Sequence, residues 1–306
     1  MYLSDPVFRK SFDKTNAVFV ELGSASVIDL LMASDLPERL HRAPVAQPLL
    51  LAIQIALVDS LAAQGLRPHA TLGHSAGELA AAYAAGALTR EIAVRGSYAR
   101  SQTMDELFEK GSMAALVCDA PQALALINAA GVEVDIAAEN SSRSLTLSGK
   151  TEDLKYLIKL ARKQRIVGKM LGIPYPYHSR FVDPLKSRLD QELQGLNGVK
   201  SPVALYSGCL GDLVAGDELT PDYWWRNARG TVQFRQGVQA MARDGISIFL
   251  EISPKSVLRT YVRDSLEEGG LTGEILGSLE ESHAEDYDAR RIAMNVMAHG
   301  GDLDVA

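Results

Sequence analysis

Ser75 stands between two glycines in Gly73-His74-Ser75-Ala76-Gly77, with Glu78 directly after. Upstream, residues 45–66 read as an amphipathic helix closed by Gly65 and Pro68, and 69–72 as a short strand. Downstream, 78–87 is Ala-rich and helix-forming as far as Gly86. A Gly-x-Ser-x-Gly held between strand and helix is a nucleophile elbow: the glycines let the chain turn sharply, and the hydroxyl is held out over the helix N-terminus for attack on a carbonyl carbon. Taken alone the pattern is weak, because a plain turn serine satisfies it. The strand and helix on either side favour the nucleophile.

Such a serine needs a base, and six histidines are available: His41, His69, His74, His178, His283 and His299. His69 and His74 flank the elbow, where packing or capping is the simplest role. His41, His283 and His299 lie in polar, charged or Gly-rich surroundings and read as surface residues. His178 ends Ile173-Pro174-Tyr175-Pro176-Tyr177-His178, whose two prolines stiffen the segment and extend the residues before them. Sequence physics supports two roles equally here, a base in a cleft and a buried, hydrogen-bonded histidine.

The elements that must position these groups follow from periodicity. From Ser112 onward the pattern runs strand 113–118, helix 121–130, strand 132–138, strand 145–148, helix 152–165 and strand 167–173, which is the βαββαβ ferredoxin-like unit. Elsewhere helices alternate with short apolar strands at 203–206, 248–252 and 274–276. The expected architecture is α/β: a large α/β-hydrolase-like domain from 1–111 and 174–306, with a small ferredoxin-like subdomain inserted at 112–173. His178 follows the junction, which puts it in the cleft between the two.

A chain of 306 residues with 47% hydrophobic and 23% charged residues buries a full core. Its formal charge of -7 argues against general nucleic-acid binding. Cys118 and Cys209 are too few for a disulfide framework and lack metal-ligand spacing, so both read as buried thiols in a reducing, cytoplasmic compartment with no metal site. Residues 1–12 contain no signal-peptide core. The most apolar stretch, 45–58, is broken by Gln47 and Gln54 and is too short to span a bilayer. The Gly-rich 269–273 has no lysine after it and reads as a turn before a strand. The acidic run 280–288 reads as the exposed start of the last helix.

Several stretches, in order, resemble the acyltransferase domain of polyketide synthases and, more distantly, malonyl-CoA:acyl carrier protein transacylase. They are Gln47-Pro48, Gly73 to Glu78, Gly86-Ala87-Leu88, Arg100-Ser101, Gly111 to Ala115, Asn140, Ser148-Gly149, His178-Ser179 with Asp183-Pro184-Leu185, Tyr223 to Asn227 and Glu251 to Pro254. The resemblance implies that Ser75 attacks the thioester of an acyl-CoA with His178 as base and later acid. The Ala76 amide is implied as an oxyanion donor. No acidic third member is implied, because a main-chain carbonyl orients the histidine; here it would be that of Asn227. Arg100 takes the position of the arginine that binds the free carboxylate of a malonyl group, which a guanidinium holds better than lysine. Tyr177, the bulky aromatic before the histidine, implies exclusion of a methyl branch, with Tyr175 in the same segment. His74, Gln47, Met104 and Asn140 complete the implied substrate-binding set.

The implied substrate is malonyl-CoA with no bound cofactor, and the implied partner is the phosphopantetheine thiol of an acyl carrier protein within a larger polyketide synthase. Such carriers are acidic. Lys155, Lys159, Arg162 and Lys163 fall on one face of the second small-subdomain helix, opposite Leu154, Leu157, Ile158 and Ala161, as a docking face or simply a solvated one. Two departures stand out. Residues 2–12 resemble the helix that follows, in relatives, a strand and a glutamine-bearing loop that supplies a second oxyanion donor; loss of such a donor costs about 100- to 1000-fold in rate. Lys255 stands where relatives commonly carry histidine. An acyltransferase for a different acyl unit, a serine hydrolase on a similar elbow and a weakly active carrier-docking remnant are the alternatives; the hydrolase is disfavoured because no acidic residue stands out between the elbow and His178.

Overall fold

The longest apolar run folds as a 21-residue helix, Ala43–Ala63. Its apolar side chains surround the helix rather than forming one stripe, and such a helix must be enclosed on several sides. Leu49, Leu51, Ala52, Ile55, Ala56 and Leu57 are accordingly buried in the main core, where the helix packs against Pro6–Glu21 and Arg90–Met104. The run is thus longer than the 45–58 stretch and has the length and composition of a membrane span. Burial among neighbouring helices, not shortness, accounts for its apolarity. The computed structural model describes residues 1–279 and 288–303. Most of the 280–288 acidic run lies outside them; Asp288 caps the Ala289–Ala298 helix by accepting from the Arg291 amide.

Among the described residues the strands are β1 (Ala70–Leu72), β2 (Ser112–Leu116), β3 (Val134–Ser141), β4 (Ser144–Gly149), β5 (Gly168–Met170), β6 (Ala204–Ser207), β7 (Asp212–Val214), β8 (Ile248–Glu251) and β9 (Glu274–Gly277). β1 pairs in parallel with β6, Leu72 opposite Tyr206, and β7 adds antiparallel to β6. β8 and β9 form a separate parallel pair, and Leu72 of β1 and Phe249 of β8 pack into one apolar cluster with Val232, Phe234 and Val238. Strand β7 lacks a sequence signature because only Val214 of its three residues is buried.

The remaining sheet has the order β3-β4-β2-β5, antiparallel throughout, with the helices Ala120–Ala130 and Thr151–Lys163 inserted as βαββαβ requires. It has its own apolar centre, including Leu116, Leu126, Leu147, Leu154 and Leu157. The architecture is therefore α/β with a ferredoxin-like subdomain inserted. On the Thr151–Lys163 helix, Leu154, Leu157, Ile158 and Ala161 point inward while Lys155, Lys159, Arg162 and Lys163 are exposed.

Among the bonds that tie edge strand β3 to the larger part, two sets lie close to His178. The Val232 amide donates to Ala137 O at 2.9 Å, and the Glu139 amide donates back to Val232 O at 2.8 Å. Asp135 accepts from the Arg180 amide at 2.7 Å and from Arg180 Nη2 at 2.7 Å. One connection lies just past the end of the Pro221–Arg229 helix and the other just past His178.

Candidate active site

The chain leaves β1 through Gly73 and extended His74 and then turns at Ser75, whose φ is 55°. A non-glycine residue in this region is strained by roughly 1–3 kcal/mol and persists only where its surroundings impose it. The turn runs through Ser75–Gly77 directly into the Glu78–Ala84 helix. It is tight enough that a Cβ on Gly73 would lie 2.2 Å from Glu78 Cα, and one on Gly208 would lie 2.2 Å from Gly73 O. The Ala76 amide stands in the first turn, where N–H groups have no partner within the helix.

His178 also has a φ of 55°. It is buried, and its Nε2 lies 2.6 Å from Ser75 Oγ. Its Nδ1 faces Gly230 O at 2.9 Å. A carbonyl only accepts, so Nδ1 carries the hydrogen and Nε2 presents a lone pair to the serine hydroxyl. Burial, followed by the nearby Arg100 charge, pushes the imidazole down to about 3, so it is neutral and able to take a proton.

The orienting carbonyl is Gly230's and not that of Asn227. Asn227 lies inside the Pro221–Arg229 helix, whose carbonyls run along its axis, whereas Gly230 is the residue at which the chain turns out with ψ of 163°. Asn227 acts through its side chain instead: Nδ2 donates to Ser75 O at 3.2 Å and to Glu78 Oε2 at 2.7 Å. Tyr223, one turn earlier, donates its hydroxyl to Glu78 Oε1 and meets Ser207 Oγ at 2.7 Å. Glu78 is 1% exposed, and burial pushes its carboxyl up to about 7 despite these donors. A glycine just past a helical run is a stop signal, and by that signal Gly230 could have been found. Nothing local marks the Glu78 network.

Arg100 is 6% exposed on the Arg90–Met104 helix. Its Nη1 donates to Gln47 Oε1 at 2.8 Å and its Nη2 to Ser75 Oγ at 3.1 Å, while Nε has no hydrogen-bond partner. A guanidinium does not give up its proton, so a full positive charge stands beside the nucleophile in a largely dry setting. Tyr177 is half-buried near Gln47 and Arg100, and burial raises its phenol far above the usual range.

The other expected binding residues stand further back. Tyr175 is 1% exposed and stacks behind Tyr177 with ring centroids 4.7 Å apart, so it supports that ring rather than meeting a ligand. Met104, one turn beyond Arg100, is fully enclosed in the main core. His74 Nε2 donates to Asn140 Oδ1 at 2.8 Å, and Asn140 Nδ2 donates to Thr146 Oγ1 at 3.0 Å. Asn140 is buried and His74 half-buried against Phe234, and the pair bridges the elbow to the inserted sheet. Cys118 is buried and Cys209 half-buried, and burial pushes their thiols up to about 11 and about 12. Among the described residues no cluster of histidine, cysteine and carboxylate ligands suits a metal.

A strained serine on a tight elbow, a neutral histidine oriented by a carbonyl and a buried guanidinium on the same hydroxyl suit acyl transfer to and from serine. The profile of the acyl transferase domain family matches residues 1–302. The chain belongs to that family. It is 32% identical over 302 residues to erythronolide synthase EryA3 of Saccharopolyspora erythraea, covering 99% of this chain and 9% of that protein. It is 31% identical to reducing polyketide synthase rdc5 of Metacordyceps chlamydosporia, covering 98% of this chain and 13% of that protein. The chain thus spans roughly a tenth of such relatives. Among solved structures, the acyltransferase domain from module 8 of the salinomycin polyketide synthase superimposes with a TM-score of 0.91 at 28% identity, covering 98% of this chain and 71% of that one. A loading acyltransferase from the avermectin modular polyketide synthase gives 0.88 at 26%, covering 97% and 93%.

Proposed function

We propose that this chain loads malonyl groups onto an acyl carrier protein within a cytoplasmic polyketide synthase, by way of an ester on Ser75. The observation that carries this reading is the 2.6 Å approach of Ser75 Oγ to His178 Nε2, with Arg100 Nη2 on the same oxygen. The serine proton passes to Nε2 as Oγ bonds to the thioester carbonyl carbon. The Ala76 amide stabilises the oxyanion. The C–S bond then breaks, and Nε2 returns the proton to the coenzyme A sulfur. In the second half, the phosphopantetheine thiol of the carrier gives its proton to Nε2 and attacks the ester carbonyl. Ser75 leaves and recovers the proton. No bound cofactor takes part.

Arg100 pairs with the free malonyl carboxylate and repays its lost hydration. Tyr177 fills the space beside the α-carbon and disfavours a methyl branch, a discrimination worth about 1–3 kcal/mol. The exposed Lys155, Lys159, Arg162 and Lys163 offer an acidic carrier a docking face. Intact mass after brief incubation with malonyl-CoA tests the reading. A malonyl adduct on the parent chain and none on Ser75→Ala supports it. Release of free malonate without an adduct supports a hydrolase, and no reaction at all overturns both.

A further inference from the structure

Tyr177 does not stand alone beside the guanidinium. Its ring lies nearly parallel to that of Tyr175, at an interplanar angle of 7° and a centroid distance of 4.7 Å. Tyr175 in turn has no freedom of its own. Its hydroxyl donates to Asp105 Oδ1 at 2.6 Å and accepts from the Ala43 amide at 3.0 Å, and Phe108 packs against the ring at 5.5 Å. Asp105 is held by Arg42, which donates from Nε at 3.1 Å and pairs through Nη2 with the second carboxylate oxygen. The Arg42 guanidinium also lies over the Phe108 ring, 4.3 Å from its centroid.

Asp105 is the residue at which the helix carrying Arg100 ends. One helix therefore places the cation that meets the carboxylate and, five residues on, the anchor of the aromatic pair. A ring that excludes one methyl group must resist a displacement of an ångström or so, and a stacked partner with a fixed hydroxyl provides that resistance. We infer that Asp105, braced by Arg42, is a specificity-positioning residue: it fixes Tyr175 and through it the Tyr177 ring that discriminates against an α-branch. The inference rests on the malonyl-loading reading above.

The test is competitive loading of Ser75 from equal malonyl-CoA and methylmalonyl-CoA, read by intact mass. Asp105→Ala and Tyr175→Phe are each expected to raise the methylmalonyl-to-malonyl ratio on the order of tenfold. Asp105→Asn, which still accepts from the Tyr175 hydroxyl, is expected to hold close to the parent ratio. Asp105→Ala combined with Tyr177→Ser is expected to add little to Tyr177→Ser alone, because both act on one ring. A residue that only stabilises the fold would lower both loadings in parallel and leave the ratio unmoved, and that outcome overturns the inference. If Asp105→Ala does not fold, the ratio for Tyr175→Phe decides. A parent chain that loads neither group would instead overturn the functional reading on which this rests.

Discussion

Asn227 and Glu78 meet at 2.7 Å in the interior, with the same Asn227 amide nitrogen 3.2 Å from the carbonyl of Ser75. The carboxylate next to the nucleophile elbow thus fastens the helix whose end supplies Gly230 O to His178. Nucleophile and base are kept in register through a buried acid that touches neither reacting atom.

Glu78 has its own pH signature. Its folded pKa of about 7 lies above the ordinary 4.5, so its contribution to stability is intact below about 4.5 and is lost as pH rises through 7. The full loss is on the order of 3 kcal/mol. His178 acts in the opposite sense over an overlapping window, so the parent's melting curve alone does not isolate Glu78. Glu78→Gln, neutral at every pH, is expected to gain stability relative to the parent between about pH 5 and 8. Parallel melting-temperature profiles for the two proteins would sink the assignment.

Because His178 titrates near 3 rather than at the ordinary 6.5, it stays neutral over the working range. Its contribution to stability is complete above 6.5 and is lost as pH falls toward 3. The kcat/KM for acylation, which reports the free enzyme, should show no histidine limb between about pH 5 and 7. Removing the Arg100 charge should move that limb upward. An acid limb centred at the ordinary histidine value in the parent would contradict the buried geometry.

Arg100→Ala is expected to lower malonyl loading by roughly 100-fold or more while uncharged acetyl loading falls far less, since a bidentate charged contact is worth about 3 kcal/mol. Arg100→Lys should recover only part of the loss, because an ammonium lacks the fork that serves two acceptors. Equal losses for both acyl groups would make Arg100 a structural residue.

Gly73→Ala places a methyl against the Glu78 backbone and should destabilise by about 3 kcal/mol or more, with loading lost beyond what unfolding explains. Circular dichroism melts alongside single-turnover loading measure both. A variant with a parent-like melt and rate would show that the turn has room to relax.

Much of this was legible in advance wherever a pattern is local. The βαββαβ unit repeats a period of two or 3.6 over enough residues to be counted, and its strands and helices fall within a few residues of expectation. Ser75, with glycines, strand and helix around it, carries its own context. Residue physics alone leaves His178 equally a base or a buried histidine, and only the family resemblance favours the base, because the stretch between it and Ser75, 103 positions away, encodes no contact. The Gly230 carbonyl was misassigned to Asn227 for a related reason: main-chain acceptors have no residue type, so only the end of a helix marks them. Tyr175 illustrates a third limit. Two tyrosines flanking one proline look equivalent in a sequence, yet one faces the site and the other is its backing.

The pairing of β3 with Val232 and of Asp135 with Arg180 bears on how domains of this family are recombined. A chimera that exchanges the inserted sheet for a homologous one looks like a swap of a peripheral module. It would in fact replace the rail that flanks His178 on both sides, and with it Asn140, which holds the ring of His74. Such a graft is sound only if its own edge strand brings an acceptor for the Arg180 amide and an open ladder for residue 232. Crossover points chosen for surface compatibility alone should yield folded hybrids whose base is out of line.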